Sequence, residues 1–477
     1  MPMTNSSSST QLAVVGAGPG GYAAAFLAAD LGLQVTLIDP EVNPGGVCLY
    51  RGCIPSKALL HVAKLIAEAH QASEWGVKYS EPKIDIEKLR GWKESVVGKL
   101  TGGLGLLSKQ RSVRYIQGTA GFEGSDKLKI KLAAGGEESL TFTRAIIATG
   151  SRPAMIPGIP ENSRRILDST SALDIRDAPK TMLVVGGGYI GLELGTVYAA
   201  LGTKVSVVEM ADGLMPGADR DLVNILAKRL EKDFQSILLN TKVVEMKESE
   251  KGIRVKFDGE AAQKDCEIYD KVLISVGRKP NSGVPGIEST KVAVGQKGFI
   301  SVNPQRRTDD PNIYAIGDVA GEPMLAHKAS HEGRAAVEAI AGHKVAFEPR
   351  AIPAVIFTDP EIAWCGLTET EAQNVGRPVT VARFPWAASG RAMTLGRTDG
   401  VTKLIIDPAN ERVLGVGICG PGAGDLIAEG VLAIEMAALA SDVALTIHPH
   451  PTLSETVMQA AEVFFGASTD LYRPKKK

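Results

Sequence analysis

Charge of either sign is nearly cancelled in this chain: 53 basic side chains face 54 acidic ones over 477 residues. That balance leaves no electrostatic footprint for nucleic acid, and the terminal Lys475-Lys476-Lys477 reads as a solvated tail. Cysteine is also scarce, with five in all, and Cys266, Cys365 and Cys419 stand singly. Such scatter argues against a stapled secreted fold and against structural zinc, whose four ligands usually come from two short-spaced pairs. Long apolar runs are nearly absent. Gln11–Ala29 carries no charge and could span a bilayer by length, but its glycines and proline divide it into strand, turn and helix. The opening MPMTNSSSST shows neither a basic region nor an apolar core, so no signal or transit peptide is expected and the cytoplasm is the default. Aromatics make up 5% of the chain and, like the methionines, read as scattered packing. The remaining composition, 44% hydrophobic and 22% charged, is that of a soluble globular protein, and the length suggests about three domains.

Glycine is plentiful, and its placement is informative. LAVVGAGPGGYAAAFLAADLG reads as an apolar strand, a turn and an Ala-rich helix, followed by the strand Gln34–Ile38 and Asp39. Gly16, Gly18 and Gly21 fit G-x-G-x-x-G, in which glycines let a pyrophosphate rest on a helix N-terminus, and Asp39 is placed for a ribose hydroxyl. The unit recurs as TMLVVGGGYIGLELGTVYAALGTKVSVVEM, with Gly186, Gly188, Gly191 and Glu209. Both acids lie 18 residues past the third glycine. RAIIATGSRP (144–153) is echoed by KVLISVGRKP (271–280), which supports an internal duplication. Two dinucleotide domains follow. A carboxylate at the ribose position accepts a 2′-hydroxyl and repels a 2′-phosphate, and no arginine follows Glu209 until Arg220, so NAD is expected rather than NADP.

Between these units lies GGVCLYRGCIPSK (45–57), with four residues between Cys48 and Cys53. On a continuous helix residues five apart are rotated by about 140° and rise roughly 7.5 Å, too far for a disulfide. Cys48 is therefore expected in a loop or distorted turn. Cys53 opens the next helix, with Pro55 in the first turn, so the helix end and Lys57 favour a thiolate there. Zinc ligation and inert packing are the competing readings, but the flanking glycines imply close backbone approach to something. The cysteine pair follows the first loop directly, which suggests an electron-relaying flavin there and NAD at the second loop.

These motifs resemble the two-domain FAD-dependent disulfide reductases, and within them the dihydrolipoamide dehydrogenases. The resemblance rests on GAGPGG (16–21), GGVCLYRGCIPSK, ATG (148–150), GGGYIGLELG (186–195), YAIGDVAGEPMLAHKASHEG (314–333) and HPHPTLSE (448–455). It implies an α/β chain of two Rossmann-like dinucleotide-binding domains plus a C-terminal α+β dimerisation domain. The implied boundaries are 1–153 for FAD and the redox disulfide, 154–281 for NAD, 282–350 for a central segment continuing the FAD domain, and 351–477 for dimerisation. FAD would lie against Gly16, Gly18, Gly21, Asp39, Lys57, Thr149, Gly150, Asp318 and Ala326. NAD would lie against Gly186, Gly188, Gly191, Glu193, Glu209 and Gly277, while Lys57 and Glu193 would also pair near the flavin. No metal is implied.

From spacing alone Thr452-Leu-Ser-Glu455 is a capping box. The resemblance instead makes His450 the base and Glu455 its orienting partner, acting on the disulfide of the other subunit, so that a homodimer is required; His448 reads as structural. His327 is placed near the flavin. Asp425–Ala440 reads as one apolar helix of core or dimer surface. The expected reaction is attack of a dithiol on the exposed sulfur of Cys48, release of Cys53, and transfer of the electron pair through FAD to NAD. The partner would be a lipoylated protein of a 2-oxo acid dehydrogenase or glycine cleavage complex, carried on a separate chain, with neither nucleic acid nor membrane involved. The departure from the family is Tyr50-Arg51 in place of Asn-Val; Arg51 is expected to be solvated and receives no role. Rival readings are a glutathione- or mercuric-type reductase, a flavin NADH oxidase or diaphorase, and a flavin-free scaffold.

Overall fold

The computed structural model describes residues 7–160, 163–259 and 266–471, so the lysine tail lies outside the described residues. Five strands, β1 (Ser7–Val15), β2 (Val35–Asp39), β3 (Arg114–Phe122), β4 (Lys127–Leu132) and β5 (Glu137–Ile147), are joined by Ile313–Ala315 in the first sheet. β1 is its centre, running parallel to β2 and β5 with Leu12 opposite Val35 and Val15 opposite Ile147. Leu12, Ala13, Val14 and Val15 are buried, as a parallel strand covered on both faces requires. β4 bridges β3 and β5 in antiparallel fashion. The first strand begins earlier than expected. Ser7–Thr10 pair with Ser139–Phe142, because the ladder needs only backbone groups, and Thr10 Oγ1 donates to the Gln34 carbonyl at 2.9 Å.

Helix α1 (Pro19–Asp30) connects β1 to β2 and packs through Ala24, Ala25 and Ala28 against Ala336 and Val337 of the helix Ala326–Ile340. The second sheet repeats this plan, with parallel strands in the order Ser236–Leu238, Lys204–Val208, Thr181–Val185, Lys271–Ile274 and Ile166–Leu167. The two halves of the sequence echo meet each other. Ser151–Pro153 pairs antiparallel with Arg278–Pro280.

The C-terminal part is an antiparallel sheet ordered Ala354–Ile356, Ile362–Gly366, Val413–Cys419, Val401–Ile406 and Thr380–Pro385, covered by the helices Ala423–Glu435 and Glu455–Phe465. The expected single helix over 425–440 stops at Glu435, since the chain turns through Ala437 at φ +56° before a separate helix, Ala440–Leu445. A buried lysine ties this sheet to the second nucleotide unit. Lys403 Nζ lies 2.7 Å from Asp219, 2.7 Å from Asp221 and 3.3 Å from Glu369. Those three acids are close enough to hold a cation, and the ammonium takes that place. No helix among the described residues is long and apolar enough to cross a membrane.

Candidate active site

A cavity of about 790 Å³ opens where β1, the cysteine segment and the Ile313–Ala315 end of the first sheet converge. Gly16 has φ +101°, and a Cβ there would stand 2.3 Å from the Ala148 carbonyl oxygen, so this turn needs glycine. Gly21 lets α1 sit directly over that turn, since its Cβ would fall 1.9 Å from the Gly16 oxygen. Asp39, at the end of β2, accepts from the Ala17 N–H at 2.7 Å and the Glu41 N–H at 3.0 Å. Burial raises its pKa, while the Ala17 N–H and the Arg51 charge oppose that rise. The first-turn amides of α1, the glycine surfaces and this carboxylate fit the phosphates and ribose of an extended dinucleotide. Gly18, Thr149, Gly150, Asp318 and Ala326 also border the cavity. Ser151 Oγ donates to Asp318 at 2.5 Å and accepts from Arg278 Nε at 2.7 Å, so the ribbon between the two units fixes this wall.

The cysteines depart from the expected local form in one respect. Cys48 lies in a short helix, α2 (Gly46–Arg51), rather than a loop. The helix is interrupted at Gly52, with φ −146° and ψ −113°, and α3 (Cys53–Gln71) starts afresh. This break overcomes the spacing problem of a continuous helix. In their reduced form the Cys48 thiol favours the Cys53 thiolate as its hydrogen-bond partner. That bond, assisted by the Lys57 charge, brings Cys53 down to about 7 against burial and the Glu193 carboxylate. The same bond, together with burial, pushes Cys48 up. In the single chain Cys53 is exposed and Cys48 half-buried, the reverse of the expected order. Both residues border the cavity, so the exposure of Cys53 is toward the volume a cofactor would fill.

Glu193 joins three segments. Its carboxylate accepts from Lys57 Nζ at 2.8 Å and Ser56 Oγ at 3.1 Å, while its other oxygen accepts from the Phe357 N–H at 3.0 Å. It borders the first cavity, the side on which the resemblance pairs it with Lys57. Arg51 pairs with Glu41 and lies 6.0 Å from the Tyr50 ring, so it is engaged rather than solvated.

The second glycine loop repeats the first. Gly186 has φ +108° with the Ser275 oxygen 2.3 Å from an added Cβ, and Gly191 abuts the Gly186 oxygen. Glu209 accepts from the Gly187 N–H at 2.6 Å and the Ala211 N–H at 2.8 Å. Arg220, the first arginine beyond it, is turned away to the carbonyls of Leu214, Met215 and Ala218 at 2.6–2.7 Å. Gly188 caps the helix Tyr189–Ala200, and Gly277 holds φ +109° while its carbonyl accepts from Ala154 N.

His450 and Glu455 lie outside the cavity. His450 Nδ1 is 2.9 Å from Glu455, whose second oxygen accepts from the Thr452 N–H at 2.7 Å, but the helix begins at Glu455 with Ser454 as its N-cap, so the capping box expected from Thr452 does not form. The His450 side chain is 77% exposed. His448 is held at both nitrogens, by the Thr446 carbonyl and by Glu429 at 2.7 Å. His327 does not face the cavity as expected: its ring reaches the Pro353 carbonyl at 2.8 Å, while Met324, Ala326 and Ala329 border the cavity instead. Sequence reasoning missed Ser151, Arg278, Tyr189 and Phe357. The first two hold equivalent places in the repeated strand ends, a signal already present in the echo.

The chain matches the pyridine nucleotide-disulphide oxidoreductase model over residues 10–333 and the dimerisation domain of the same family over 352–461. It is 50% identical to the dihydrolipoyl dehydrogenase of Haemophilus influenzae, covering 98% of both chains. Identity to the enzyme of that name from Geobacillus stearothermophilus is 46% over 96% of both. Among solved structures, LpdA from Mycobacterium tuberculosis superposes with a TM-score of 0.88 at 25% identity, covering 95% of this chain and 99% of that one. The flavoprotein disulfide reductase RclA from Escherichia coli, in its Cu(II) complex, gives 0.85 at 27% identity, covering 95% and 99%.

Proposed function

Because the chain belongs to the pyridine nucleotide-disulphide oxidoreductase family, we propose that its cysteine pair is the entry point of a relay from a dithiol to a nicotinamide dinucleotide. The protein is an NAD-dependent flavoprotein that reoxidises dihydrolipoamide, with FAD and NAD as its cofactors. The observation that carries the site assignment is the polarised thiol pair on the cavity wall, with Cys53 brought down to about 7 and Cys48 held as the proton-bearing partner.

FAD would be held by Gly16, Gly18, Asp39, Thr149, Gly150, Asp318 and Ala326, with Gly21 closing the turn. NAD would be held by Gly186, Gly188, Gly191, Glu209 and Gly277. When bound, FAD supplies the two-electron link between thiol chemistry and the nicotinamide. The chain's own residues govern the thiol steps. His450 Nε2 takes a proton from one substrate thiol, and the resulting thiolate attacks Cys48, breaking the Cys48–Cys53 bond and releasing Cys53 as a thiolate. The second substrate thiol, losing its proton to water, attacks the substrate sulfur joined to Cys48, which closes the substrate disulfide and frees Cys48 with the first proton returned from His450. Glu455 fixes the His450 ring through Nδ1, and Lys57 offsets the charge on Cys53.

The dimerisation domain supports a homodimer, and since His450 lies outside its own chain's cavity, we assign it to the partner's cysteine pair. A lipoylated protein is the partner we infer, and the small number of cysteines, three of them standing singly, fits a cytoplasmic setting. The domain limits we propose are 1–153, 154–281, 282–350 and 351–477. The test is nicotinamide reduction with dihydrolipoamide and NAD, run beside NADP and beside NADPH with oxidised glutathione. Turnover with NAD alone supports the reading, whereas turnover only with NADPH moves the chain to the glutathione-type reductases. Dye reduction without dithiol activity points to the oxidase or diaphorase.

A further inference from the structure

Lys57 forms part of the wall between two hollows. On one side is the cofactor cavity; on the other is a second cavity of about 860 Å³, bordered by Leu60, His61, Lys64, Phe357 and Thr358. A lysine on a flexible stem in that position has two places to put its charge. Glu193 holds it from one side at 2.8 Å, and the face of the Phe357 ring covers it from the other, with Nζ 4.5 Å from the ring centroid. The Phe357 N–H also donates to the second oxygen of Glu193, so one residue orients both members of the ion pair. Phe357 belongs to neither glycine-loop unit: it follows the strand Ala354–Ile356 at the edge of the C-terminal sheet.

We infer that Phe357 is a positioning residue for the redox pair, its ring face keeping the Lys57 ammonium on the Cys53 side of the wall and out of the second cavity. The inference rests on the reading of Lys57 as the charge that offsets the Cys53 thiolate. An ammonium is attracted to an aromatic face, and an aliphatic side chain of similar bulk offers no such attraction. The groups that act on Cys53 are Cys48, Lys57, Glu193, Tyr22 and Tyr189. Burial raises both tyrosines, and Cys48 is pushed up as well, so Lys57 and Glu193 are the charges that act on Cys53 around neutral pH. Phe357 touches both.

The test is the pH profile of Cys53 alkylation in the dithiothreitol-reduced holoenzyme, with iodoacetamide as probe and the modified residue located by mass spectrometry. The wild-type midpoint is expected near about 7. Phe357→Leu and Phe357→Met, which keep the backbone N–H and the apolar bulk, should move it up by about half a unit or more, and Phe357→Tyr should restore it. Lys57→Met is the reference and should move it at least as far. A ring that merely packs would lower the melting temperature without moving this midpoint. If Lys57→Met shifts the profile and both ringless variants leave it in place, the role of Phe357 is overturned while the Lys57 reading stands. If Lys57→Met shifts nothing, the Lys57 reading fails and the Phe357 role falls with it.

Discussion

The two glycine loops share one geometry and differ in what encloses them. In each, the first glycine takes a positive φ, +101° at Gly16 and +108° at Gly186, beneath a carbonyl 2.3 Å from where a Cβ would stand. In each, a carboxylate binds the amide inside the loop and the amide two residues beyond itself: Asp39 holds Ala17 and Glu41, and Glu209 holds Gly187 and Ala211. The surroundings then diverge. The first loop faces α2 so closely that a Cβ on Gly46 would come within 2.5 Å of Gly18, and Asp39 is 8% exposed in a walled cavity. Gly186, Gly188 and Glu209 do not border that cavity, and Met210 beside Glu209 is 72% exposed. The motif is thus common to both loops, and the enclosure is what differs. The enclosed loop suits a resident flavin and the open one a nicotinamide that comes and goes.

The largest effect is expected where the second unit is anchored. Lys403→Met leaves the buried Asp219 with only the Glu369 and Thr370 donors and Asp221 with only Arg383, and a loss of about 3 kcal/mol is expected in thermal unfolding. Burial alone would raise both carboxyls, but Lys403 outweighs it together with the Glu369 and Thr370 amides at Asp219 and Arg383 at Asp221, and holds them below the ordinary value. Since the folded pKa is depressed, the stabilisation is complete above about pH 4 and is lost as pH falls through the lower folded values. In Lys403→Met this acid-side slope should flatten, which melting curves between about pH 3 and 7 will register.

Next come matched changes in the two loops. Gly16→Ala should purify with less than about a tenth of its flavin, a loss of roughly 1.4 kcal/mol or more in cofactor affinity. Gly186→Ala meets the same clash yet should keep its yellow colour and raise the KM for NAD at least about tenfold. Flavin absorbance per protein and NAD titration separate the two, and loss of flavin in both variants would break the comparison. A smaller effect is expected from Glu209→Ala, a rise of about tenfold in the KM for NAD, because charged hydrogen bonds contribute about 1.5–3 kcal/mol. It should not confer use of NADP, since Arg220 is committed to backbone carbonyls. The smallest is Arg51→Val, which removes a partly exposed ion pair and should change flavin retention by less than about 1 kcal/mol.

What was legible in the sequence was local. G-x-G-x-x-G, its acid 18 residues on and the C-x4-C segment each encode a chemistry within a short span, and the duplicated strand ends expose the repeat. The helical form of α2 was not legible, because the argument from a continuous helix is correct only until Gly52 interrupts it. Ser7–Thr10 carry no apolar signal, so their strand is visible only once β5 is beside them. Phe357 lies 164 positions from Glu193, and no local pattern marks a backbone N–H that completes a distant carboxylate. Ser151 and Arg278 fall between these extremes, since the echo aligns them but does not show that they bond.

The most direct test of the central claim, that thiols and nicotinamide are served at opposite ends of one relay, is to measure two activities of Cys48→Ser side by side. Oxidation of dihydrolipoamide by NAD should fall at least about a thousandfold, while NADH-driven reduction of a dye stays within about fivefold of wild type. Retention of dihydrolipoamide oxidation would contradict the account, because the dithiol would then be entering elsewhere than at the cysteine pair.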